Sequence, residues 1–208
     1  MIDKSVEKFL TQLSSSSATP GGGSAAALMG AMGSALVSMV ANLTKGKKKY
    51  EAVEKEVSTV LNRSESLRIQ LQEAIEKDVQ AFNFVMAAYG LPKKNEEEKK
   101  YRSDKIQEAL KIAIDAPMEC ANLSAQVIPL CKKIAEIGNI NIISDAGVAV
   151  LAARAAFKSA ELNVYVNASA LKDKELAKSK IHEVRKMASL VEEEEEKTFS
   201  YVAGVILN

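Results

Sequence analysis

The chain has 208 residues, 47% of them hydrophobic by type and 26% charged, enough for one domain to bury a substantial core. With 28 Lys and Arg against 27 Asp and Glu the formal net charge is +1, which excludes the basic excess that general nucleic-acid binding requires. His182 is the single histidine, so a His-rich zinc site is excluded; Cys120 and Cys131 form no CxxC, and the N-terminus has no signal-peptide pattern, which together suit a reducing cytoplasm.

Ile2 to Leu13 reads as a short amphipathic helix carrying Val6, Phe9, Leu10 and Leu13, followed by a Ser-rich link from Ser14 to Ser17. From Phe9 through Thr44 there is no charged residue, so this segment must be enclosed by the rest of the fold. Pro20 with Gly21, Gly22 and Gly23 predicts a turn that other groups can approach closely, and Ser24 is the expected N-cap of a central helix from Ala25 to about Thr44. Gly30, Gly33, Ser34, Ala35 and Ser38 interrupt its larger residues at three- and four-residue spacing, which lets backbones of the same chain or of a second copy come near. A membrane span needs about 20 apolar residues; the Gly, Ser and Asn42 content makes this run a poor one, and the later segments are amphipathic and charged, so a buried core helix is expected. Free N–H groups and the macrodipole at its start form a candidate anion or carbonyl site, although a glycine turn can equally be only a turn.

The central helix is expected to end near Lys45, with Lys47, Lys48 and Lys49 answering the helix dipole or meeting a carboxylated ligand. A long helix follows, with its seam on Val53, Val57, Val60, Ser64, Leu67, Leu71, Ala74, Ala81 and Val85, stopped by Gly90-Leu91-Pro92. Lys93 to Lys100 reads as a polar connector. Helices are then expected over about Ser103 to Ile114, over Met118 to Ile137 with a kink at Pro129, from Ser144 or Asp145 to about Ala170, and from Asp173 to about Val205, where Glu192 to Glu196 reads as a solvated acidic face. No stretch alternates as a strand. The expected fold is all-α, a multihelical bundle around a buried small-residue central helix, with residues 1 to 208 as one domain.

Continuing the seam by four from Ala74 lands on Asp78, which aims a carboxyl at the core. Burial of that kind makes a carboxyl a proton donor near neutral pH; the alternative is a structural Asp held by a hydroxyl, a Lys or backbone N–H groups. Asn163 and Asn167 lie four apart on one helix face and can bind a heterocycle or glue helices together. Asn139, Asn141 and Asp145 cluster at that helix's entrance, where Asp145 reads first as an N-cap.

Taken jointly, Thr19-Pro20-Gly21-Gly22-Gly23-Ser24-Ala25-Ala26-Ala27, Leu43-Thr44-Lys45-Gly46-Lys47-Lys48, Lys77-Asp78-Val79-Gln80-Ala81-Phe82, Leu91-Pro92-Lys93, Gly138-Asn139 with Ser144-Asp145, and Asn163-Val164-Tyr165-Val166-Asn167 resemble the cyclodeaminase domain of formiminotransferase-cyclodeaminase, and the related stand-alone cyclodeaminases and methenyltetrahydrofolate cyclohydrolases. The resemblance covers nearly the whole chain, in order. It implies an all-helical homodimer whose substrate is a tetrahydrofolate derivative, and it leaves open whether a separate formiminotransferase is a partner. No metal or other cofactor is expected for the reaction, and composition already argues for the cytoplasm and against nucleic acid and membrane as partners. It further implies Asp78 as catalytic acid and Lys47 and Lys48 as the basic pair for the folate glutamate tail. Asp145, Asn163 and Asn167 become pocket positions, with Asn139 nearby and the turn Gly21, Gly22, Gly23, Ser24 beside the substrate. The expected reaction is cyclodeamination of 5-formimidoyltetrahydrofolate to 5,10-methenyltetrahydrofolate and ammonia. Cyclohydrolase action giving 10-formyltetrahydrofolate is the alternative, and a non-enzymatic helical dimerisation module is the alternative of another class.

Overall fold

A computed structural model describes residues 5–208, which form seven α-helices joined by short turns, with no strand among them. Helix α1 spans Val6–Leu13 and α2 spans Gly22–Asn42; α3 spans Glu54–Tyr89, α4 Glu96–Ala113, α5 Asp115–Ile137, α6 Ile143–Ala170 and α7 Lys174–Leu207. Short 3-10 turns at Lys48–Val53 and Ile140–Ile142 lead into α3 and α6. Ile2, the expected start of the first helix, lies outside the described residues; Ser5 caps α1 by accepting from the Lys8 amide.

Helix α2 occupies the middle. It packs most extensively against α6, then against α3, and touches α5. Small residues make this possible. A Cβ on Gly33 would stand 2.9 Å from the Ala149 carbonyl oxygen and 3.2 Å from the Ala153 nitrogen, so the α2 and α6 backbones meet here at a distance only glycine allows. The polar residues of α2 are satisfied locally: Ser34 donates to the Ser64 carbonyl at 2.7 Å, and Ser38 shares a 2.8 Å bond with Ser64 Oγ. The segments Gly22–Asn42 and Ile140–Ala170 are long and apolar enough to cross a membrane by length and composition alone. In this fold they are each other's principal neighbours. The core extends from Phe9 to Val202, with Phe157, Leu67, Leu71 and Ile114 among its largest fully enclosed side chains.

Several boundaries differ from the sequence expectation, each for a local reason. α2 begins at Gly22, with Gly21 as an N-cap that has no side chain to offer, so Ser24 lies inside the first turn and is not the cap. α4 begins at Glu96 because Asn95 accepts from the Glu98 amide and three glutamates occupy the dipole-favoured first turn; the expected connector is therefore mostly helix. α5 begins at Asp115, which puts Pro117 in a first turn whose N–H groups have no intrahelical partner, and the helix continues through Pro129 to Ile137. Asp145 is not the cap of α6: the helix starts at Ile143, and the side-chain cap nearby is Asn139, accepting from the Asn141 amide at 3.2 Å. Glu192 to Glu196 is not merely a solvated face, since Glu195 is buried and bonded to Arg154, which also reaches Glu192 at 2.9 Å.

Candidate active site

The first turn of α2, the second half of α3, the α4–α5 junction and the last turns of α6 enclose a cavity of about 470 Å³. That is within the size range of small-molecule sites. The seam of α3 explains one wall. Val57, Val60, Ser64, Leu67, Leu71 and Ala74 are buried, but between Ile75 and Ala88 no residue of α3 is buried. Asp78, Ala81 and Val85 continue the seam half-buried along the cavity, so Asp78 faces the cavity rather than the packed interior.

Asp78 has one hydrogen bond among the described residues: the Ser24 hydroxyl donates to its Oδ2 at 2.7 Å. Its Oδ1 rests over Gly23, where a Cβ would lie 2.0 Å from that oxygen. The first intrahelical bond of α2 runs from the Ala25 amide to the Gly21 carbonyl, so the amides of Gly22, Gly23 and Ser24 belong to the unpaired first turn at the cavity edge. Lys77 next door is tied to Glu119 at 2.7 Å. Cys120 lies behind this wall, where burial pushes its thiol up to about 12, so it is not a nucleophile at neutral pH.

Across the cavity Asn163 donates to the Ser159 carbonyl at 2.8 Å and Asn167 to the Ala113 carbonyl at 3.3 Å. Those bonds fix both amides, which line the cavity with a carbonyl oxygen and a second N–H each still available. Phe82, Met86 and Tyr89 from α3, Leu110 from α4 and Val166 from α6 supply an apolar wall for a flat ring system. Sequence reasoning did not single these out, yet a signal existed: Phe82, Val85 and Tyr89 lie four, seven and eleven residues after Asp78, on the face that Asp78 itself occupies.

Of the sequence-derived site residues, Gly21, Gly22, Gly23, Asp78, Asn163 and Asn167 line one cavity. Ser24 is fully enclosed behind Asp78 and meets the cavity only through it. Lys47, Lys48, Asn139 and Asp145 are elsewhere, at the opposite end of α2, about 30 Å away for a helix of 21 residues. Asn139 is buried there, its side chain donating to the Leu43 carbonyl and its amide to the Thr44 hydroxyl, which ties the start of α6 to the end of α2. Lys47 and Lys48 are exposed and Asp145 is half-buried; none of the three makes an ion pair among the described residues. No cluster of three or more His, Cys, Asp or Glu suited to a metal occurs among the described residues.

A profile of the family described as formiminotransferase-cyclodeaminase matches residues 5–186. The chain belongs to this family. It is 56% identical over 182 residues to a methenyltetrahydrofolate cyclohydrolase of Methylorubrum extorquens, with 88% of each chain covered. It is 31% identical over 193 residues to formimidoyltransferase-cyclodeaminase of Mus musculus, covering 93% of this chain but only 35% of the mouse protein. Among solved structures, a formiminotetrahydrofolate cyclodeaminase of Thermotoga maritima superposes with a TM-score of 0.87 at 31% identity, over 98% of both chains. The all-α fold expected from the sequence is thus the fold of this family.

Proposed function

We propose that this member of a folate one-carbon family is a methenyltetrahydrofolate cyclohydrolase, opening the 5,10-methenyl bridge to 10-formyltetrahydrofolate. The reaction class is carried by the Asp78 carboxyl in the wall of the cavity, in company with two amides and an apolar wall. The 56% identity to the Methylorubrum cyclohydrolase puts hydrolysis ahead of cyclodeamination. Water adds to the methenyl carbon, and Asp78 takes its proton. The carbon–N5 bond then breaks as the second hydroxyl proton is lost, N5 takes up one proton, and one proton is released overall. The cavity holds the bridge against the carboxyl. Protons and positioning suffice, so the scheme needs no metal.

Cyclodeamination is the second reading, favoured by the Thermotoga neighbour. There N10 attacks the formimidoyl carbon, its proton is removed, and the departing nitrogen leaves as ammonia after protonation, with Asp78 handling both transfers. Only this reading gives a separate formiminotransferase a role as partner. Purified protein given each substrate separately decides the order. Faster loss of the methenyl compound supports hydrolysis; faster ammonia release from 5-formimidoyltetrahydrofolate overturns it.

We also propose that the working unit is a homodimer with a shared site. Leu28, Met32, Leu36, Met39 and Leu43 form an uncharged stripe on α2, and Val148, Leu151, Leu162 and Val166 form one on α6 that is interrupted by Lys158, itself paired with Glu161. Met32 is 55% exposed and Leu162 63%. A two-fold axis crossing α2 at its middle would cover this face and bring Lys47 and Lys48 of the second copy to the cavity, where they suit the glutamate carboxylates of a folate.

A further inference from the structure

The two oxygens of Asp78 have different surroundings, and that difference bears on Ser24, behind the cavity wall, and on Gly23 within it. Oδ2 accepts the Ser24 hydroxyl at 2.7 Å, and Ser24 has no exposure to solvent. Because that hydroxyl donates, Oδ2 already accepts one bond and is the less basic oxygen, which favours Oδ1 for a proton arriving at or leaving the carboxyl. Oδ1 is the oxygen over Gly23, and both Gly23 and Asp78 line the cavity. Any side chain on residue 23 would occupy the position of the carboxyl, since a Cβ would also lie 2.6 Å from Asp78 Cγ.

We infer that Ser24 is a positioning residue that clamps Asp78 through Oδ2 so that Oδ1 is the oxygen that exchanges protons with the substrate, and that Gly23 is the seat this arrangement requires. The inference rests on the proposed role of Asp78 in proton transfer. It also gives a reason for glycine at position 23 other than backbone freedom: α2 is helical there, and the constraint is space for a carboxyl from another helix.

The test measures steady-state kinetics on the methenyl and formimidoyl substrates, and binding of a folate analogue, for Ser24→Ala, Ser24→Cys, Asp78→Asn and the double variant Ser24→Ala/Asp78→Asn, with circular dichroism to establish folding. Loss of a hydrogen bond to an ionisable partner predicts that Ser24→Ala lowers kcat about 10- to 100-fold while KM and analogue binding stay within about twofold. Ser24→Cys, of similar shape and a weaker donor, should fall between; it carries the test should the alanine variant fail to fold. Acting through Asp78, the Ser24→Ala change should cost nothing further in the Asp78→Asn background. An unchanged kcat in folded Ser24→Ala or Ser24→Cys, or an equal loss in both backgrounds, overturns the inference while leaving the role of Asp78 standing. Full activity of Asp78→Asn overturns that role itself, and the inference with it.

Discussion

At the level of single residues, Asp78 is a half-buried carboxyl with one hydroxyl donor, sharing its cavity with two amides each held by one backbone carbonyl. Its position on α3 was legible in the four-three seam, because helical periodicity puts residue 78 on the face of Leu71 and Ala74 whatever lies opposite. What lies opposite was not legible: burial is interrupted between Ile75 and Ala88, where the seam meets a cavity instead of side chains. Asp78→Asn keeps the shape and an acceptor for Ser24 but removes the titrating proton. We expect turnover to fall about 10²- to 10⁴-fold, the usual contribution of a positioned acid or base, with an unchanged thermal midpoint. Steady-state kinetics together with a melting curve check this, and near-wild-type turnover would remove Asp78 from the chemistry.

Among the helices, the meeting of α2 with α6 sets the geometry of the site, since it holds the first turn of α2 beside Asn163: a Cβ on Gly22 would lie 3.8 Å from that amide nitrogen. The contact depends on Gly33, which has no room for a branched side chain against the α6 backbone. Gly33→Val should therefore destabilise by about 2 kcal/mol or more through overpacking, lowering Tm by roughly 4–8 °C for a domain of this size, as differential scanning calorimetry would register. The run of small residues announced a close approach. Which helix approached, and at which glycine, depended on the antiparallel pairing of segments more than 100 residues apart in sequence, which no local pattern encodes. Helix starts were legible only where a cap speaks in sequence. Asp173, near which the last helix was expected to begin, accepts from the Leu176 amide as the cap of α7, whereas at α2 the glycines serve without any side-chain bond.

For the molecule as a whole, the candidate ligands divide into two groups at opposite ends of α2 with an uncharged stripe between them. If two copies share their sites, Asp78→Asn and Lys47→Ala/Lys48→Ala, each impaired alone, should regain activity when mixed and allowed to exchange subunits. Each mixed dimer then holds one cavity with an intact Asp78 and intact lysines. Met32 is the midpoint of α2, so Met32→Glu places like charges face to face across a two-fold and should give a monomer by analytical ultracentrifugation. Mixtures no more active than their parts would separate the lysines from the site.

The sequence by itself determined the helices, the central position of the uncharged segment and the face on which Asp78 lies, because periodicity and the absence of charge act locally along the chain. Only the tertiary structure decided that Gly23 must yield space to a carboxyl, that Ser24 serves Asp78 rather than the helix start, and that Lys47 lies far from the cavity of its own chain. Those facts are distances between helices, set by how small residues let backbones approach, and they have no counterpart in the spacing along any one helix.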